Sequence, residues 1–318
     1  MNQLFETLHC EPTLKWVGGK RQLLSVLNEL VLDFKNITKQ EKFTYHEPFF
    51  GAGALYFNLW SRDFLKKSYI NDINKELILF YKTIQNNKAL SLLITELEIL
   101  EDKFNKSKKR DVLFLAWREQ FNQLLKKNNS RSITKKEKIE ISALLISLNK
   151  TCFNGVYRKN KSGEFNVPFS KKFKEEVSFF DLENIKNINK SFENTVIENL
   201  SFEKVIDFRK IKKNHLVFFD PPYLPVSRTS DFSSYYDDGF TEIEHQKLSE
   251  LLIKINDIGA YFILTNSDSQ KTKEVYLSDN KFFNINVNVR RSINQKGLSN
   301  KPDATQELII TNFKSFNT

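Results

Sequence analysis

The stretch His215-Leu216-Val217-Phe218-Phe219-Asp220-Pro221-Pro222-Tyr223 decides the fold. Its apolar half reads as a strand buried on both faces, the kind a parallel sheet requires. Ligands of open α/β sheets bind outside the carboxyl ends of such strands, so the residues after Phe219 are expected in an active site. Pro221 and Pro222 fix φ near about −65° and remove two backbone donors, which leaves a turn that offers carbonyl oxygens. With the Asp220 carboxylate, the turn becomes acceptor-rich and suits a planar amino group that has two hydrogens to donate. Tyr223 adds a flat face on which an aromatic base can stack. Taken alone, Asp-Pro-Pro-Tyr reads as well as a rigid strand end, and the rest of the chain has to choose.

Upstream, residues 43–50 read as a strand, followed by Gly51-Ala52-Gly53 and a helix over 54–59. Glycines at a strand-to-helix turn let the backbone bend tightly and approach a ligand. A second strand, Ser68-Tyr69-Ile70-Asn71, ends at Asp72, 19 residues after Gly53. That is close to the spacing of about 20 residues at which a carboxylate meets ribose hydroxyls. The third glycine of the dinucleotide fingerprint is absent, since Tyr56 occupies its place. The expected ligand is therefore an adenosine without a pyrophosphate. Gly18-Gly19-Lys20 does not form a nucleoside-triphosphate loop: no second glycine stands at the required spacing, and Arg21 follows in place of Ser or Thr.

Several motifs together resemble the DNA adenine methyltransferases, in particular the Dam-like group that modifies GATC. They are Lys15-Trp16-Val17-Gly18-Gly19-Lys20, Glu47-Pro48-Phe49-Phe50-Gly51-Ala52-Gly53, Asp72-Ile73-Asn74, Phe153-Asn154-Gly155, Gly163-Glu164-Phe165-Asn166-Val167-Pro168-Phe169 and Asp220-Pro221-Pro222-Tyr223. Ser227-Arg228-Thr229-Ser230-Asp231-Phe232 and Arg290-Arg291-Ser292-Ile293 are similar to the same group. The resemblance runs over residues 14–313 and implies a Rossmann-like methyltransferase sheet with an inserted, mainly helical DNA-recognition domain. It implies that Trp16, Lys20, Asp72 and Asp220 line an S-adenosyl-L-methionine site floored by Phe50, Gly51 and Gly53. It places target recognition on Phe153, Asn154, Val156, Arg158 and Pro168, with Lys15 touching the first guanine. Phe153 stands where Tyr is also seen and Val156 where Leu is, and both keep an apolar wedge.

Charge marks the insert independently of the resemblance. Between residues 101 and 190 there are 21 Lys and Arg against 11 Asp and Glu, so this third carries the whole net charge of +10. Residues 83–149 show helical spacing, such as Leu113, Ala116, Trp117, Phe121 and Leu124. Residues 149–170 read as a loop or hairpin that mixes Phe153, Tyr157, Phe165 and Phe169 with Arg158, Lys159 and Lys161. A basic domain in a protein of pI about 9.3 points to nucleic acid, because phosphate contacts dominate that affinity. Arg158 has the chemistry to read guanine, and Phe153 that to enter the stack. For Phe169, packing in a small core is an equal alternative. The expected division is 1–82 and 195–318 for catalysis and 83–194 for target recognition.

The expected reaction is methyl transfer to N6 of an adenine flipped out of double-stranded DNA. Tyr223 would stack on the base, while Asp220 and the Pro221 carbonyl accept its amino hydrogens, with Pro222 shaping the turn. The alternatives are N4 methylation of cytosine and a DNA-binding regulator without catalysis. No metal is expected, since two cysteines and four histidines show no ligand spacing, and the chain lacks both motifs of a zinc deaminase. With no signal peptide and no apolar run near about 18 residues, a cytoplasmic monomer without a membrane span is expected. The chain does not say whether a genetically linked restriction endonuclease acts beside it. Segments 224–240 and 290–301 read as loops, the first over the target pocket and the second near DNA phosphates.

Overall fold

The computed structural model describes residues 9–16, 18, 20–130, 132–173, 175–206, 210–224, 240–278, 281–290 and 304–316. In chain order the elements are α1 (Leu24–Thr38), β1 (Phe43–Glu47), α2 (Ala54–Ser61), β2 (Leu65–Asn71), α3 (Lys75–Gln85), α4 (Asn87–Lys106), α5 (Arg110–Ser130) and α6 (Lys135–Thr151). They continue with α7 (Leu182–Ser191), β3 (Thr195–Glu198), α8 (Phe202–Val205), β4 (Leu216–Phe219), α9 (Glu242–Asp257), β5 (Tyr261–Ser267), α10 (Gln270–Tyr276), β6 (Phe283–Arg290) and β7 (Ala304–Thr311). The described residues form two compact units. One falls within Met1–Gly19, Gly51–Asp63 and Asp72–Asn199, the other within Lys20–Phe50, Phe64–Asn71 and Leu200–Thr318.

The second unit carries six strands of the seven-stranded sheet, in the order β2-β1-β4-β5-β7-β6. β1 pairs in parallel with β2 and β4, and β4 with β5. β7 runs antiparallel to β5 and β6. The α/β fold class read from the sequence is thus the fold observed. β4 is buried at every position, as its apolar run requires. Val217 and Phe219 pack with Leu248, Leu252 and Ile255 of α9, Phe262 and Leu264 of β5, and Leu308 and Ile310 of β7. β1 stops at Glu47, short of the strand expected to reach Phe50, because Pro48 has no N–H to continue the ladder. Phe50 resumes pairing, its N–H donating to the Asn71 carbonyl at 2.8 Å. β2 and β4 lie on opposite sides of β1, so the strand order reverses beside the carboxyl ends of β1 and β4, where α/β sheets bind ligands.

The first unit is mainly helical. α6 is its hub: Ile141 through Asn149 are buried without a break, and α3, α4 and α5 pack around it. A capping box starts α6, with the Thr134 side chain accepting from the Glu137 N–H and the Glu137 side chain accepting from the Thr134 N–H. After α6 the chain makes a 3₁₀ turn at Phe153–Gly155. It then folds back as an irregular hairpin, bridged antiparallel at Lys159↔Phe165 and Cys152↔Phe169. No described helix is long and apolar enough to cross a membrane.

Buried imidazoles make the second unit sensitive to acid. His46 stacks on Tyr69 and His215, with centroids 4.7 and 5.3 Å away, and its Nε2 lies 3.1 Å from His215 Nδ1. Burial first, then the neighbouring His215 and Lys210, pull its pKa down to about 3. Burial likewise pulls His245 down to about 4 and lowers His215. These rings are neutral in the folded protein but protonate in the unfolded chain below pH about 6.5. Their stabilisation is therefore complete above that pH and falls as acid is added, for His46 by about 1.4 kcal/mol per pH unit until its folded pKa is reached. The urea midpoint should be lower at pH 5 than at pH 7.5, and His46→Phe, which keeps a stacked ring, should reduce the difference. An unchanged difference would remove His46 from this role.

Candidate functional site

In the second unit, Asp220, Pro222, Tyr223 and Leu224 of the turn after β4 are braced by neighbouring side chains. Lys20, 6 % exposed, opens the 3₁₀ turn Lys20–Leu23 that leads into α1. Its Nζ lies 2.9 Å from Asp220 Oδ1 and 4.7 Å from the centre of the Tyr223 ring. Thr265 Oγ1, on β5, donates to Asp220 Oδ1 at 2.8 Å. Burial pushes the Asp220 carboxyl above the usual range, and the Lys20 charge and the two hydrogen bonds pull it back. His245, on α9, bonds the Pro222 backbone, and its Nδ1 meets the Tyr276 hydroxyl at 2.6 Å. The Tyr223 hydroxyl donates to Glu307 Oε2 at 2.9 Å. Burial, with the nearby Asp220 and Glu307 carboxylates, raises the phenol well above its ordinary pKa, so it stays protonated and a donor. Leu224 is clamped at both ends: its N–H donates to Asn266 Oδ1 at 3.1 Å and its carbonyl accepts from Ser267 Oγ at 2.7 Å. The turn is therefore an acceptor cluster set rigidly on β4, β5 and β7, with an ammonium beside it. Such preorganised polar groups cost no rearrangement when a ligand's charge develops.

In the first unit, Trp16, Gly51, Gly53 and Asp72 come together. Gly51 (φ 49°) and Gly53 (φ 73°) both adopt the left-handed conformation that glycine reaches without strain. A Cβ on Gly51 would stand 3.2 Å from Trp16 Cδ1, so the missing side chain makes room for the indole. The Trp16 indole also stacks on Tyr157, with centroids 5.1 Å apart. Asp72 Oδ2 accepts from the Gly51 N–H and Oδ1 from the Asn74 N–H, both at 2.8 Å. Burial raises the Asp72 carboxyl, opposed by these bonds and by the Ile73 backbone. Since a carboxylate offers about four lone-pair sites, capacity remains for ligand hydroxyls.

The same unit gathers the six residues expected at DNA. Phe153 is 51 % exposed, Asn154 is exposed with φ 56°, and Arg158, Pro168 and Lys15 are exposed, while Val156 is half-buried. The Phe153 N–H donates to the Pro168 carbonyl at 2.8 Å, which joins the two ends of the hairpin. Arg158 Nε donates to Asn166 Oδ1 at 2.9 Å. Asn149 draws in Lys15: its Oδ1 accepts from the Lys15 N–H at 2.9 Å, and its Nδ2 donates to the carbonyls of Lys15 (2.9 Å) and Gly155 (2.8 Å). Phe169 is half-buried and packs against Phe114 and Phe104, which favours the packing alternative.

Sequence reasoning passed over Thr265, Asn266, His245, Glu307, Asn149 and Glu76. The signal available was polarity out of place: Thr265-Asn266-Ser267 ends the apolar strand β5, and Asn149 ends the buried run of α6. Residues 225–239, which hold the loop expected over the target pocket, and 291–303, which hold most of the loop expected near phosphates, lie outside the described residues. Among the described residues no group of three or more His, Cys, Asp or Glu is placed to hold a metal ion.

The family described as D12 class N6 adenine-specific DNA methyltransferase matches residues 16–293. The Type II methyltransferase M.MjaIII of Methanocaldococcus jannaschii is 37 % identical over 312 residues, covering 96 % of this chain and 100 % of that one. The Type II methyltransferase M1.LlaDCHI of Lactococcus lactis subsp. cremoris is 31 % identical over 309 residues, covering 96 % of each chain. The DNA adenine methylase of Haemophilus influenzae is 28 % identical over 285 residues, covering 89 % of this chain and 88 % of that one. A match over most of the sequence, on an α/β sheet whose β4 ends in the braced Asp220-Pro221-Pro222-Tyr223 turn, makes the chain a member of the D12 class N6 adenine-specific DNA methyltransferase family.

Proposed function

We propose that the protein transfers a methyl group from S-adenosyl-L-methionine to N6 of an adenine flipped out of double-stranded DNA, within GATC. The observation that carries this reading is the Asp220-Pro221-Pro222-Tyr223 turn, with its carboxylate held by Lys20 and Thr265 and its phenol by Glu307. Catalysis is assigned to residues 1–82 and 195–318 and target recognition to 83–194, a division by role that differs from the two compact units. The enzyme acts as a cytoplasmic monomer. The name Type II methyltransferase, borne by two relatives, favours a genetically linked restriction endonuclease as its counterpart.

The residues present suit the methyl donor. Gly51 presents bare backbone beside the Trp16 indole, and Asp72 has lone pairs left for ribose hydroxyls. Trp16, Lys20, Phe50, Gly51, Gly53, Asp72 and Asp220 are the residues assigned to hold it. Bound there, S-adenosyl-L-methionine supplies a methyl group on a positively charged sulfur, which keeps the electron pair of the broken carbon–sulfur bond. Tyr223 stacks on the extruded adenine, which offsets part of the few kcal/mol of unstacking. Asp220 and the Pro221 carbonyl accept the two amino hydrogens and turn the N6 lone pair out of conjugation with the ring. Proximity and fixed charge then supply most of the acceleration. On the DNA side, Lys15, Phe153, Asn154, Val156, Arg158 and Pro168 read the site, with Arg158 suited to a guanine edge.

Labelled methyl incorporation into two duplexes differing only by GATC versus GTTC tests the whole reading, and transfer confined to GATC is expected. Asp220→Ala should abolish transfer yet leave duplex binding measurable, and wild-type turnover in that variant would dismiss the assignment. Ionised Asp220 is the stronger acceptor and carries no competing O–H, so kcat should fall as pH drops through its raised pKa. Lys20→Met removes the charge that holds that pKa down, and the acid limb of kcat should move to higher pH. A limb that stays in place would separate Lys20 from the Asp220 ionisation.

A further inference from the structure

We propose that Glu76 is a positioning residue for sequence readout, acting through Tyr157 and Lys159 to set the orientation of Arg158. Glu76 sits in the first turn of α3, only 2 % exposed, four residues after Asp72. Its Oε2 receives two donors from the hairpin: the Tyr157 hydroxyl at 3.2 Å and Lys159 Nζ at 2.8 Å. Residues 157 and 159 flank Arg158 on one arm of the irregular hairpin, bridged antiparallel at Lys159↔Phe165, and since both reach the same buried oxygen their side chains leave one face, while Arg158 is exposed and bonds Asn166 across the hairpin. Fixing both neighbours on one buried carboxylate thereby fixes where the guanidinium points.

Other contacts remove the remaining freedom. Asn166, across the hairpin, accepts from Arg158 Nε at 2.9 Å, and its own N–H donates to the Arg158 carbonyl at 3.2 Å. Behind the hairpin, Asn122 of α5 clamps Phe165, accepting from its N–H at 2.8 Å and donating to its carbonyl at 3.1 Å. A slip by one residue would break both Glu76 contacts and turn Arg158 to the inner face. Glu76 therefore acts on register and direction, without touching DNA. An uncompensated buried carboxylate is costly, so the hairpin position that pairs it is strongly favoured over others.

This inference rests on reading the hairpin as the DNA-recognition element. Its test uses binding, so it stands apart from methyl transfer. The duplex that the wild-type protein binds best is selected from a pool randomised at the central base pairs, and its affinity is compared with that of single-base-pair variants and an unrelated duplex. Glu76→Gln and Lys159→Met are each expected to reduce the preference by about tenfold, the scale of one misaimed guanine contact. Together they should do little more than either alone, since they break one interaction. The two changes shift net charge in opposite directions. A general electrostatic effect on DNA would move affinity for the unrelated duplex in opposite directions and leave the preference alone. Preference kept within about twofold in both variants, with only the melting temperature lowered, overturns the proposal. So does a wild-type protein that binds every duplex in the pool alike. If Glu76→Gln does not fold, Lys159→Met, whose side chain is 29 % exposed, carries the same comparison. Selective binding without methyl transfer would count against the proposed reaction and not against the role of Glu76.

Discussion

The ion pair between Lys20 and Asp220 is the contact on which the turn after β4 depends. Both groups are largely withdrawn from water, where an isolated charge of either sign would be costly. Each makes the other tolerable, and Thr265 adds a hydrogen bond to the same carboxylate oxygen. The ammonium also lies over the Tyr223 ring, so one cation organises the acid and the aromatic face together. The sheet supplies what the pair cannot. Parallel β4 and β5 set Asp220 beside Thr265, and the 3₁₀ turn before α1 brings in Lys20, so the three meet from residues up to 245 positions apart in sequence.

A second design runs through the helical unit, where amide and carboxylate side chains do the joining that regular secondary structure does elsewhere. Asn149 satisfies backbone groups of residues 15 and 155, Asn122 those of residue 165, and Asn105 accepts from the Val177 N–H and donates to its carbonyl. An irregular hairpin has few ladder bonds of its own, and buried backbone groups have to be paired somewhere. Side-chain amides, with a donor and an acceptor on one head, are suited to that task.

How much of this was legible in the sequence follows from the range of each interaction. The apolar run of β4, the glycines after β1 and the proline pair all act on their own backbone, so their structure could be read in place. Proline also explains why β1 is shorter than expected, since Pro48 ends it before Phe50. The bracing residues were invisible for the opposite reason. Glu307 reaches Tyr223 across 84 positions and Asn149 reaches Lys15 across 134, and no local periodicity records a partner so remote. The insert's charge suggested nucleic acid, but charge alone does not separate an outward-facing cation from one that holds its neighbour. Lys159 was grouped with the DNA-facing cations and turns inward to Glu76.

The turn at Gly155 bears on how such a specificity could change. With φ at 67°, and with a Cβ there falling 2.6 Å from Lys15 Cδ, 3.0 Å from Lys15 Cβ and 3.3 Å from the Asn149 carbonyl, a side chain at this position would be strained and would displace that of Lys15. The hairpin is thus not a cassette. Transplanting residues 153–169 into another scaffold would leave behind the amide of Asn149, the clamp of Asn122, the carboxylate of Glu76 and the backbone of Lys15, which come from four separate stretches of chain. If this hairpin reads DNA as proposed, a new recognition sequence is more accessible by exchanging outward-facing side chains on this frame than by exchanging the frame itself.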